Sequence, residues 1–202
     1  MIQFIGLIGA VVCLLLGWQF PWSKTPLIMG LCYGLASLGV SIMMRAGQVS
    51  FGHALFAAIG AYTVAFLTRA YPGLDGVWML LCAVITSGVA AAVVGVFVVR
   101  YRGIFFGMLN LALSMVVYAM LGKMYNLSGG TDGLRFDRPL LWGAMLERAD
   151  FETTLLVMVV VASVAMVWWV QRFFKSAAGE ALAGIKSNET RLEYLGMSAK
   201  SI

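Results

Sequence analysis

Residues 77–99 run for 23 positions without one charged side chain. That length constrains the chain more than any other feature, because about 20 mostly apolar residues in a helix cross the hydrocarbon core of a bilayer. Comparable stretches occupy 4–20, 26–44, 49–68, 103–121 and 151–170. A membrane-spanning strand needs only about 9–11 residues, so runs of this length read as helices. The expected fold class is all-α: a polytopic membrane helix bundle of about six transmembrane helices with a cytoplasmic helical tail. Composition agrees, since 11% of residues are charged where a soluble domain carries about 25%.

The first stretch lacks the basic start and the A-x-A-like cleavage site of a signal peptide and reads as a retained span. Short loops rich in Lys and Arg favour the cytoplasm. Arg45 and the pair Arg100 and Arg102 mark two very short loops, and Arg172 and Lys175 follow the last span. The opposite short loops carry only Lys24 and Arg69. Six spans then place the N-terminus inside. If 45–53 is a break within the membrane, the count falls to five and the N-terminus flips.

The expected division is a transmembrane bundle over 1–174, with an external loop at 122–150, and a cytoplasmic coupling segment at 175–202. Small-residue ridges, Gly30 with Gly34, Ala54 to Ala61 and Gly88 to Gly95, suit close helix packing in lipid. The loop holds "SGGTDGL", whose glycines and Asp132 read as turns. The tail reads as two short helices, with Leu182 and Ile185 on one face of the first and Asn188 capping the second. Helices so short are marginal alone in water and are expected to fold against the bundle or another protein.

Chemistry-bearing constellations are sparse. His53 is the single histidine, and Cys13, Cys32 and Cys82 have neither metal nor disulfide spacing. No metal-protease, phosphate-loop or nucleophile-elbow motif occurs. Neither catalysis, a cofactor, a metal nor a nucleic-acid partner is expected. The acidic residues all lie in loops, in the tail or at span edges, whereas ion-driven carriers place them inside the membrane. Any driving energy is therefore expected from a partner. Polar groups within spans usually face a pathway. Gln48, Ser50 and His53, within one or two turns, are one candidate lining. Asn110 and Ser114, four apart on one helix face, are another. Helix-to-helix hydrogen bonding is the competing reading for both.

Three blocks in order resemble the permease subunits of branched-chain amino acid ABC importers. They are "GQVSFGHALFAAIGAY" at 47–62, "GIFFGMLNLALSMVVYAM" with "LSGGTDGL" at 103–134, and "GEALAGIKSNETRLEYLGM" at 179–197. The resemblance covers most of the chain from Gly47 onward. It implies a transmembrane subunit, not an enzyme, in an ATP-driven, binding-protein-dependent importer of branched-chain or hydrophobic amino acids in the bacterial plasma (inner) membrane. The implied partners are cytoplasmic ATP-binding subunits, a second permease subunit in a homo- or heterodimer, an extracytoplasmic solute-binding protein and membrane lipid. The third block resembles the segment that docks on the ATP-binding subunit, which makes Gly179, Ile185, Asn188, Glu189 and Arg191 the candidate contacts. Gly129, Gly130, Thr131 and Asp132 resemble an external glycine loop that meets the binding protein or gates the path. Family members commonly carry Thr at the position of Asn110 and a polar residue at that of Met115, which leaves the cargo open. Urea, amides and aromatic acids are alternatives, as is a non-transporting scaffold that recruits a soluble partner. Family members also continue with further spans, so a chain ending at Ile202 reads as a truncated product or fragment.

Overall fold

In a computed structural model of the protein, the structure describes residues 2–101 and 103–187. Among them are eight α-helices, two 3-10 turns and no β-strand beyond two isolated bridges. The chain divides into two compact units, 1–47 with 147–202, and 48–146.

The first unit contains α1 (Ile2–Gln19), a 3-10 turn (Pro21–Ser23), α2 (Lys24–Arg45), α7 (Arg148–Phe174) and α8 (Ala177–Ser187). Pro21 opens the turn, where its fixed φ suits the first position and its missing N–H costs nothing. The Ser23 hydroxyl closes the turn by donating to the Phe20 carbonyl at 2.7 Å. Both α1 and α2 pack on α7. Gly17 allows α1 to approach closely, since a Cβ there would run into the buried Leu156 side chain.

α2 and α7 run in parallel. At one end Lys24 Nζ donates to Thr153 Oγ1 at 2.7 Å and to the Ala149 carbonyl at 3.3 Å. At the other end the Arg45 guanidinium sits over the Phe174 ring, 4.4 Å from its centroid. The 22 residues of α2 span about 33 Å at 1.5 Å per residue, which matches a hydrocarbon core of about 30 Å. Lys24 is only 8% exposed, and these are the hydrogen bonds that its ammonium makes among the described residues. Replacing it, as Lys24→Met, is expected to cost about 1.5–3 kcal/mol, the range for hydrogen bonds to a charged group. Thermal unfolding of the detergent-solubilised protein measures this. An unchanged midpoint would show that the contact is not maintained.

The second unit contains α3 (His53–Ala70), α4 (Gly76–Val98), α5 (Ile104–Lys123), the single-turn α6 (Tyr125–Ser128) and a 3-10 turn (Gly130–Asp132). α3 and α4 form an antiparallel hairpin held by small and hydroxyl side chains. Thr63 and Thr86 share a hydrogen bond at 3.0 Å, Ser87 Oγ donates to the Phe56 carbonyl at 3.2 Å, and Thr68 Oγ1 donates to Met79 Sδ. Short hydroxyl side chains bring helices together where no hydrophobic drive exists in lipid. Most large apolar side chains point outward instead, including Val84, Val93 and Val96 at 72%, 67% and 71% exposed. Helices apolar on every face suit lipid on the outside.

Five helices are long and apolar enough to cross a membrane, over 21–45, 53–70, 76–98, 104–123 and 148–174. The expected span at 4–20 lies in α1, whose apolar stretch Ile8–Gln19 falls short of spanning length among the described residues. The small-residue ridges also differ from expectation. A Cβ built at Gly30, Gly34, Gly88 or Gly95 meets nothing within 4 Å, whereas close approaches fall at other helical glycines, Gly17, Gly60, Gly107 and Gly179 among them. Spacing shows which residues share a face, but not which face meets a neighbour.

Candidate functional site

α2 ends at Arg45 and α3 begins at His53, and 46–52 between them is not helical. Gly47, with φ +76, is in the left-handed region that glycine enters without steric cost. In the second unit the segment from Gln48 onward lies against α5. A Cβ on Gly107 would stand 3.0 Å from the Val49 carbonyl oxygen, and one on Gly52 would stand 3.1 Å from Asn110 Oδ1. The structure therefore brings Asn110 against the break that carries Gln48 and Ser50, beside His53 at the start of α3.

The polar groups here are short of partners. Gln48 Oε1 and His53 Nδ1 are buried and accept or donate no hydrogen bond. Asn110 is 6% exposed, and among the described residues its side-chain amide is bonded to nothing, although its carbonyl accepts from Ser114 Oγ at 3.0 Å. Ser50 Oγ accepts from the Gly52 N–H at 3.3 Å. Ser50 and Ser114 are thus spent on local backbone, whereas Gln48, His53 and Asn110 are not. Leaving a buried polar group unmet costs about 1–3 kcal/mol, and Gln48 Oε1 and His53 Nδ1 both carry that cost.

The loop at 122–150 is ordered around Ser128, which is fully buried. Its hydroxyl lies within hydrogen-bond reach of the Leu121 and Met124 carbonyls, which share its one proton, and accepts from the Gly130 N–H. Its own carbonyl accepts from the Tyr62 hydroxyl at 3.3 Å. Gly129 has φ +75, and a Cβ there would collide with the Gly133 carbonyl, so no other residue fits. Thr131 and Asp132 are left exposed. Arg69, Asp132, Arg135, Asp137 and Arg138 line a cavity of about 690 Å³ at this end of the unit.

Sequence reasoning placed Ser128 in the "SGGTDGL" turn without giving it a role, and it missed the role of Asp75, which had a signal. An Asp just before an apolar helical run is an N-cap. Asp75 Oδ1 accepts from the Val77 N–H at 3.1 Å, and Oδ2 accepts from the Gly143 N–H at 3.1 Å, tying the loop to α4. Asp75→Ala is expected to cost about 1–2 kcal/mol, mostly the lost cap, and to raise proteolytic cleavage within 133–146. Limited proteolysis of the purified protein reads both effects, and an unchanged pattern would separate Asp75 from loop order.

In the first unit α8 folds back against α2 and α7. Ser176 Oγ accepts from the Gly179 N–H at 3.4 Å and donates to the Phe173 carbonyl at 2.6 Å, which opens the helix. Gly179 is buried, and a Cβ on it would collide with the Phe173 carbonyl. Its lack of a side chain is accounted for by this close approach. The backbone of Ile185 is helical. Asn188, Glu189 and Arg191 lie outside the described residues.

The profile of a family described as branched-chain amino acid transport system / permease component matches residues 25–202. Over 149 residues the chain is 30% identical to the high-affinity branched-chain amino acid transport system permease protein LivM of Salmonella typhimurium, covering 71% of this chain and 35% of that protein. It is 24% identical over 219 aligned positions to LivM of Escherichia coli, covering 96% and 51% respectively. The chain spans about a third to a half of the length of these curated relatives. No solved structure matches it. A match over most of the chain, on five helices of membrane-crossing length, has one consequence: the protein belongs to the permease component family of branched-chain amino acid ABC transport systems and is a multi-pass protein of the bacterial inner membrane.

Proposed function

We propose that this chain is a transmembrane permease subunit of an ATP-driven, binding-protein-dependent importer, with branched-chain or other hydrophobic amino acids as cargo. Cytoplasmic ATP-binding subunits drive it through the coupling segment at 175–202. A second permease subunit completes the pathway, and a solute-binding protein delivers cargo at the loop that carries Gly129, Gly130, Thr131 and Asp132. The bundle occupies 1–174, with that loop outside and Arg45, Arg172 and Lys175 inside.

The observation that carries the reading is the pair of unmet polar atoms, Gln48 Oε1 and His53 Nδ1, at a helix break against which Asn110 of α5 packs. A passing amino acid supplies what they lack. Its ammonium donates to the Gln48 oxygen, and its carboxylate accepts from an amide N–H such as that of Asn110. Ser50 and Ser114 complete the lining through their backbone turns. No ionised partner holds the cargo, so binding is weak and release is quick. ATP then acts by favouring one access state over the other, which needs different contacts in the two states.

The test is uptake into vesicles holding the chain, its ATP-binding and permease partners, and the binding protein. ATP-dependent accumulation of leucine that requires every component is the expected result. Partner binding with no uptake would favour a scaffold, and uptake of urea or aromatic acids alone would reassign the cargo. Reporter fusions after Arg69, Lys123 and Lys200 are expected to report outside, outside and inside. A tail found outside would overturn the coupling role.

A further inference from the structure

We propose that the groove between α1 and α7 is a binding site for an anionic phospholipid, with one acyl chain along the helices and the headgroup at Arg172. The site is independent of the transport reading. A cavity of about 700 Å³ in the first unit is lined by Gly9 and Cys13 of α1, Leu31 of α2, and Val160, Val164 and Trp168 of α7, among others. A Cβ on Gly6 or Gly9 would meet nothing within 4 Å, so α1 leaves real space there. The one hydroxyl in the lining, Ser163, is spent on the Val159 carbonyl at 2.7 Å. Water gains no partners in such a space, and hydrocarbon fits it. From Val160 to Trp168 the groove runs about 12 Å at 1.5 Å per residue, a large part of an acyl chain.

The end at Trp168 is cationic. The Arg172 guanidinium lies 5.9 Å from the Trp168 ring. Arg172 and Lys175 are exposed, and neither bonds a carboxylate among the described residues. Glu180 is the single acid in 165–187 and forms no ion pair there. Gln171 continues the stripe of Val160, Val164 and Val167, and its Nε2 is buried without a partner. A basic residue with an aromatic ring at the helix end is the usual arrangement at the headgroup level. Phosphate oxygens accept from both guanidinium and amide, and an anionic headgroup brings no ammonium to offset the attraction.

The test reconstitutes the full chain in phosphatidylcholine vesicles doped with brominated phosphatidylglycerol or brominated phosphatidylcholine. Quenching of Trp168 is read as the difference from Trp168→Phe. Phosphatidylglycerol is expected to quench at a clearly lower mole fraction. Arg172→Gln is expected to reduce that preference about fivefold, the effect of one basic residue at an anionic surface. Adding Lys175→Gln should abolish it, and Gly9→Leu, which fills the groove, should remove the tight component for both lipids. Equal quenching by the two lipids in the wild type would overturn the proposal, as would no lipid-specific component, the result if a protein helix occupies the groove. Should Trp168→Phe not fold, native mass spectrometry of phospholipid retained by wild type and Arg172→Gln measures the same preference, and equal retention of both lipids by the wild type would overturn the proposal in the same way.

Discussion

Deletion of 187–196 is expected to abolish co-purification of the ATP-binding subunits while the protein still inserts in the membrane at normal yield. The deleted stretch holds Asn188, Glu189 and Arg191 and follows the last membrane-crossing helix among the described residues, which ends at Phe174. A docking surface draws most of its energy from a few residues worth 2 kcal/mol or more each. Every 1.4 kcal/mol is about tenfold in affinity, so losing two such residues weakens the complex roughly 800-fold. Glu189→Ala and Arg191→Ala singly should each give a partial loss. Gly179 behaves differently. Its close approach to the Phe173 carbonyl means that Gly179→Val should shift α8 on the bundle, at about 1–3 kcal/mol for overpacking, and weaken the ATPase contact only as a consequence. Full recovery of the ATPase with the deletion variant would refute the docking role.

Asn110→Leu is expected to cut transport roughly tenfold or more and to leave stability within about 1 kcal/mol. The two readings of Asn110 separate here. If its amide joined helices, removing it would destabilise the bundle. The amide is bonded to nothing among the described residues although the residue is buried, so an apolar group of the same shape is nearly neutral for folding. A polar contact made only with passing cargo is worth about 1–3 kcal/mol, and each 1.36 kcal/mol is tenfold in rate. Uptake and thermal unfolding measured on one preparation decide the matter. A large fall in unfolding temperature with normal uptake would return Asn110 to a structural role.

Some features were legible in the sequence. Continuous apolar runs gave helix type and five of the six expected spans, because span length is a property of local sequence measured against bilayer thickness. The first tail helix, with Leu182 and Ile185 on one face, was readable as α8, since a short amphipathic helix carries its own period. The break at 46–52 was foreshadowed by the alternative of a break at 45–53. Less local features were not legible. Gly30, Gly34, Gly88 and Gly95 have the spacing of packing ridges yet face open space. Lys24 looked like a loop charge and is buried against Ala149 and Thr153, more than a hundred residues away.

The amino-acid order alone determined that this chain is a bundle of membrane helices and which family it belongs to. Those follow from hydropathy and local motif, which are fixed within one turn or one span. The tertiary structure alone decided which polar side chains go unmet, that Asn110 meets the break at Gly52, and that the 122–150 loop is anchored by Ser128 and Asp75. In a membrane both faces of a helix are apolar, so periodicity carries little information about which face packs inward. That choice is made by close fit and by hydrogen bonds between residues distant in sequence, and it exists only once the helices are assembled.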